Sequence, residues 1–155
     1  MFHNGHFGGN IRYTYDPLVL WKPTPSQTRW LRDPDTHLRH QVMINSMGLR
    51  GPEVSREKPT HSLRIALVGD SFVEGVGIGE DQHMRTLLEK AVASRLPERH
   101  IEVINAGVSG YNPAQEWARL RDDIFPLNPD YIVIFHCYND LDDLHFSQMI
   151  HSSQG

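Results

Sequence analysis

Three apolar runs of strand length, Leu63–Val68, Ile101–Ile104 and Tyr131–Phe135, constrain this chain more than any other feature. A strand with one face in water alternates apolar and polar residues. These runs, interrupted only by Arg64 and Glu102, do not alternate, so they are expected as strands of a parallel sheet with helices on both faces. The intervening spans supply helices. Met84, Leu87, Leu88, Ala91 and Val92 mark one face of a helix over residues 81–96, which Pro97 ends. Asn112-Pro113-Ala114-Gln115 reads as a second helix start, because asparagine caps, proline suits the first turn and glutamine reaches back in a capping box. Trp117, Leu120 and Ile124 form its expected buried stripe, and Asn128-Pro129 closes it.

Each apolar run ends in small or polar residues: Gly69-Asp70-Ser71 after the first, Asn105-Ala106-Gly107 after the second, Cys137-Tyr138-Asn139-Asp140 after the third. In an open α/β sheet, ligands bind in the crevice beyond the carboxyl ends of the strands. Ser71 stands where a nucleophile belongs. Nucleophilic attack by a serine hydroxyl needs a base for its proton and donors for the oxyanion that forms. A serine after Gly-Asp is by itself more often a turn or cap residue, and Gly107 and Asn139 at the neighbouring strand ends tip the reading toward catalysis.

These residues, in this order, resemble the GDSL or SGNH family of serine esterases and acylhydrolases. Gly69-Asp70-Ser71-Phe72 matches the first block, the glycine of Asn105-Ala106-Gly107-Val108-Ser109-Gly110 the second, and Asn139-Asp140 the third. Ile44-Asn45-Ser46-Met47-Gly48-Leu49-Arg50-Gly51 resembles the lead-in of one bacterial branch. The resemblance implies a flavodoxin-like three-layer α/β sandwich with a parallel sheet. It further implies hydrolysis or transfer of an acyl group through an acyl-enzyme on Ser71, without metal or organic cofactor. The oxyanion hole would use the backbone N–H of Ser71, the N–H of Gly107 and the side-chain amide of Asn139. Asp70 would hold the nucleophile loop through backbone hydrogen bonds.

Two departures accompany the resemblance. Cys137 stands where the third block begins with glycine. The family's D-x-x-H block follows two further strands, whereas Asp142-Asp143-Leu144-His145 follows Asn139 closely; Asp142 and His145 are retained as a candidate base pair. Residues 61–155 are accordingly expected to form the N-terminal part of such a domain, with the sheet incomplete at its C-terminal side. Residues 1–60, punctuated by Pro17, Pro23, Pro25, Pro34, Pro52 and Pro59, are expected as an irregular lead-in. Trp21 and Trp30 would pack it onto the body, with a short hairpin around residues 42–50 and one sheet edge capped.

At 155 residues the chain suits one core. A net charge of −4, from 15 basic and 19 acidic residues, offers no footprint for nucleic acid. No apolar run approaches the ~18 residues of a membrane span. Cys137 is the sole cysteine, which excludes an intrachain disulfide, and as the residue after a strand it reads as a packed side chain. The compartment stays open, export or anchorage included. Among ten histidines, His136 is expected to be packed or half-buried. The His3/His6 and His37/His40 pairs lack the further ligands a metal would need. Gly75, Gly77 and Gly79 lack the lysine and spacing of a phosphate loop and read as a flexible loop beside Ser71.

The expected substrate is a small-molecule, lipid or acylated-sugar ester. Two other readings stand beside it. One is a catalytically incomplete or non-enzymatic binding paralogue of the same fold; the other is a flavodoxin-like nucleotide-binding domain, against which Gly107 and Asn139 argue.

Overall fold

The computed structural model describes residues 11–33 and 35–137. Residues 62–134 build a parallel sheet of β5 (Ser62–Val68), β6 (His100–Asn105) and β7 (Tyr131–Ile134), in the order β6-β5-β7. The registers run from Ser62 opposite His100 to Leu67 opposite Asn105, and from Ile65 opposite Tyr131 to Val68 opposite Ile134.

The central strand β5 is buried along its whole length, and its side chains divide with the period of two that a pleated strand imposes. Ala66 and Val68 join Ile104, Leu120, Ile124 and Leu127 on one face. Leu63, Ile65 and Leu67 join Ile101, Val103 and the partly buried Met84, Leu88 and Val92 on the other. Helix α2 (Met84–Ala93) therefore covers one face, while α3 (Pro113–Arg119), continued by a π-type turn (Leu120–Ile124) and a 3₁₀ turn (Phe125–Leu127), covers the opposite one. Asn112 and Gln115 form the expected capping box. Arg64, fully buried in β5, is matched by Glu102 at 2.8 Å and by the carbonyls of Ser55 and Leu127.

Several expected core positions face water instead: Leu87, Ala91 and Trp117 of the helix stripes, and Tyr131, Val133 and Ile134 of β7, which is covered less fully than the both-faced burial expected of it. Leu87 and Trp117 are 52% and 55% exposed, because each lies at the rim of its helix's apolar stripe; Trp117 meets Phe125 edge-on at 6.0 Å. Helix α2 is also shorter at both ends than the periodicity suggests, with His83 as its cap.

The segment before β5 is more regular than a proline-rich lead-in suggests. It forms two antiparallel hairpins: β1 (Tyr13–Asp16) with β2 (Leu20–Pro23), and β3 (Gln27–Arg32) with β4 (Arg39–Ile44). Pro17, Pro23 and Pro25 fall at turns and strand ends, where a missing N–H costs no ladder bond. Asp16 closes the first turn by accepting from the N–H groups of Leu18 and Val19. Leu31, Val42 and Ile44 bury one face of the second hairpin.

In the 42–50 segment the chain makes a tight turn, bridging Ile44 to Arg50, and Arg50 in turn pairs with Asn105 on the free edge of β6. Trp21 docks through Nε1 on the Ser109 carbonyl at 3.1 Å and edge-on against Tyr111. Trp30 is 56% exposed, on the outward side of β3.

Candidate active site

The strand order creates a switch point. The chain leaves β5 to form β6 on one side, then crosses back over β5 to form β7 on the other, so the connections diverge at the carboxyl end of β5. Such a divergence opens a crevice. Ser71 sits there, as the first residue of the one-turn helix α1 (Ser71–Glu74).

Hydrogen bonds fasten the neighbouring chain segments to this point. Ala106 N–H donates to Leu67 O at 2.8 Å and Val108 N–H to Gly69 O at 3.1 Å on the β6 side. Phe135 N–H donates to Val68 O at 2.9 Å on the β7 side. Asn139, Asp142 and His145, which follow β7 in the sequence, fall outside the described residues, and so do His3 and His6 near the start of the chain.

Asp70 is buried and caps α1, its Oδ1 accepting from the Phe72 N–H at 2.9 Å. The Ser71 N–H, the first of the helix, has no intrahelical acceptor and can be offered to a ligand. Phe72, the next residue, is 64% exposed beside it. Among the described residues no histidine hydrogen-bonds the Ser71 hydroxyl.

Gly107 is placed where the sequence puts it, at the end of β6, and its N–H is engaged within the turn. It donates to Oδ1 of Asn105 at 2.9 Å. The residue is a glycine for another reason: a Cβ here would lie 2.4 Å from Glu74 N and 2.6 Å from Val73 C, so α1 could not approach the loop. The other donors of this loop are committed as well. Ala106 and Val108 donate to β5 and Gly69, Ser109 to Glu74 at 3.1 Å, and Tyr111 to Val108 O. Among the described residues the N–H of Gly110 alone, in the stretch 106–111, makes no hydrogen bond. Gly110 holds φ at +76°, a left-handed conformation open to glycine.

Three buried ionisable residues surround α1, and sequence reasoning assigned a role to none of them. Arg50 donates to the carbonyls of Glu74, Gly75 and Ile78 and pairs with Glu80 at 2.9 Å. His83 accepts from the Arg85 N–H on Nδ1, so its ring proton sits on Nε2, which meets Val73 O at 3.1 Å. Burial, with Arg50 nearby, lowers its pKa and keeps the ring neutral. Together Arg50 and His83 satisfy the carbonyls that a one-turn helix leaves open.

The Gly75–Gly79 loop is therefore tied down, contrary to the expectation of a flexible loop. At Gly75, φ +77°, a Cβ would lie 2.2 Å from His83 Nε2. The third residue, Glu74, is 1% exposed; its carboxylate accepts from Tyr13 Oη at 2.8 and 3.0 Å and from the N–H and hydroxyl of Ser109. Burial raises its pKa, and the bonds from Ser109 and Tyr13 and the charge of Arg50 oppose that rise.

The remaining candidates are peripheral. His136 is exposed rather than packed, since among the described residues no strand lies beyond β7, and Cys137 is half-buried. His37 and His40 sit in the β3–β4 hairpin, and among the described residues no cluster with metal-binding composition occurs. A cavity of about 220 Å³ lies between the first hairpin and α3, lined by Asp16, Lys22, Met47 and Arg119; neither Ser71 nor Gly107 lines it. No helix among the described residues is long and apolar enough to cross a membrane.

The model of the GDSL-like lipase/acylhydrolase family matches residues 67–152. No curated protein matches. Among solved structures, AlinE4, an SGNH-hydrolase family esterase, is similar at 29% identity and a TM-score of 0.43, over 54% of this chain and 44% of that one. A mutant of the same esterase gives the same figures. LAE5, an alpha/beta hydrolase enzyme from the metagenome of Lake Arreo, Spain, is similar at 26% identity and a TM-score of 0.42, over 56% of this chain and 44% of that one. The chain thus spans less than half the length of these solved proteins.

Proposed function

Because the chain belongs to the GDSL-like lipase/acylhydrolase family, we propose that Ser71 is the nucleophile of an ester hydrolase or acyltransferase. The observation that carries this reading is the position of Ser71 at the first turn of α1, at the switch point between β6 and β7.

In the reaction, Ser71 Oγ bonds to the ester carbonyl carbon and gives its proton to a base. The C–O bond to the alcohol then breaks, the alcohol leaves with that proton, and water releases the acyl group by the same route. Charge develops on the carbonyl oxygen, and donors fixed in advance at that point lower the barrier. The Ser71 N–H is one, the side-chain amide of Asn139 a second. The third is the N–H of Gly110, because that of Gly107 is engaged by Asn105. Within this sequence Asp142 and His145 are the candidates for the base. The substrate class follows from the family: a small-molecule, lipid or acylated-sugar ester.

A second reading, a non-enzymatic binding paralogue, draws on the absence, among the described residues, of a histidine bonded to Ser71. Labelling with a fluorophosphonate separates the two. The hydrolase reading requires covalent labelling of Ser71 that Ser71→Ala abolishes; an unlabelled, folded protein would leave only the binding reading.

A further inference from the structure

A buried carboxylate in the helix that begins with the nucleophile calls for a reason. Glu74 follows Ser71 by less than one helical turn, and its carboxylate is withdrawn from water with no cation among the described residues bonded to it. Burying a charge this way costs stability unless hydrogen bonds repay it. Glu74 collects bonds from two segments far away in sequence: Tyr13 in β1 and Ser109 in the loop after β6. Ser109 immediately precedes Gly110, whose N–H belongs to the Ser109–Gly110 peptide unit. The carboxylate therefore holds Ser109, through its N–H and its hydroxyl, directly before the peptide whose N–H is free for a ligand, while Trp21 Nε1 holds the carbonyl of that peptide at 3.1 Å.

Neutral residues could fill the same space without this effect. Only an acceptor with two oxygens can take the Ser109 N–H, the Ser109 hydroxyl and the Tyr13 hydroxyl together. The loop is held from the other side by the contact of Gly107 with the backbone of Val73 and Glu74. Helix α1 and the loop thus form one rigid unit, with the nucleophile on one part and the Gly110 donor on the other.

We infer that Glu74 is a positioning residue which, through Ser109 and with Tyr13 completing its bonds, sets the Gly110 N–H relative to the Ser71 hydroxyl. The role rests on the ester-hydrolase reading of Ser71. It acts on the transition state, because the donor's distance matters most once the oxyanion has formed. Loss of the grip should lower kcat and leave KM nearly untouched.

The test is steady-state hydrolysis of p-nitrophenyl acetate by the full chain and by Glu74→Gln, Tyr13→Phe, Ser109→Ala and Ser71→Ala, each with a thermal melt. Glu74→Gln keeps an oxygen for the Ser109 N–H but cannot accept all three donors. It should lower kcat about tenfold or more, with KM within about twofold. Tyr13→Phe and Ser109→Ala, which remove one donor each, should show the same split more weakly, and their double variant should lose less than the product of the single losses. Folded Tyr13→Phe and Ser109→Ala proteins with unchanged kcat would overturn the positioning role, even were Glu74→Gln to misfold. Failure of the underlying reading looks different: Ser71→Ala would then hydrolyse the ester as fast as the parent chain.

Discussion

The N–H of Gly107 donates to Oδ1 of Asn105 at 2.9 Å, so the turn after β6 is closed on itself and presses its bare α-carbon against α1. Both halves of this contact can be tested by substitution. Gly107→Ala places a methyl 2.4 Å from Glu74 N, a backbone atom that cannot swing aside, and should destabilise the fold by about 1–3 kcal/mol. Asn105→Ala strands a buried N–H and should cost a similar ~1–3 kcal/mol. Urea denaturation midpoints report both losses.

Turnover should depend on the donors as the proposed mechanism requires. Asn139→Ala is expected to lower kcat by roughly a hundredfold to a thousandfold while the far-ultraviolet circular dichroism stays that of the parent. A turnover unaffected by this change would remove Asn139 from the oxyanion hole.

Arg50 serves three carbonyl oxygens around the Gly75–Gly79 loop. Arg50→Met keeps much of the apolar stem but leaves those acceptors without their donor, and should cost at least about 2 kcal/mol. Hydrogen exchange on the amides of residues 75–79 should quicken in the variant. Exchange at parental rates would mean that His83 alone secures the loop.

The pH dependence of stability should carry opposite signatures from two buried groups. Burial raises the Glu74 pKa in the folded state, against the pull of Ser109, Tyr13 and Arg50. The folded state therefore holds this proton more tightly than the unfolded chain. Its contribution is most favourable below the ordinary glutamate range and declines as pH rises through the raised value.

For His83 the shift is downward, by burial first and by Arg50 next. Its contribution is present above the ordinary imidazole range and is lost as pH falls through the ordinary and then the lowered value. Unfolding free energies measured for the parent and Glu74→Gln between about pH 4 and pH 8 should converge toward the acid end and separate in favour of the variant toward neutrality. A constant difference would contradict the raised value.

Much of the fold was legible in the residues because its signals are local. The consecutive apolar residues of Leu63–Val68 announce a strand buried on both faces, and the Asn112–Gln115 capping box depends on atoms three residues apart. The hairpins of residues 13–44 escaped notice because their prolines sit at turns, and because Gln27 and Arg29 occupy inward positions of β3 that polar residues rarely mark.

What the sequence alone determined is the three parallel strands and the two helices that follow the first and second of them, and the placing of Ser71 and Gly107 at strand ends, since backbone periodicity and capping are decided by near neighbours. Tertiary structure alone decided the order β6-β5-β7, which makes the end of β5 the switch point. It also decided which donor of the second loop stays open: Asn105 takes the N–H of Gly107, and Glu74 takes that of Ser109, leaving Gly110. Glu74 meets Tyr13 across 61 residues of chain and Ser109 across 35. A hydrogen bond has direction, and the partner of a buried polar group is settled by which distant segment folds against it, a choice that no one-dimensional pattern records.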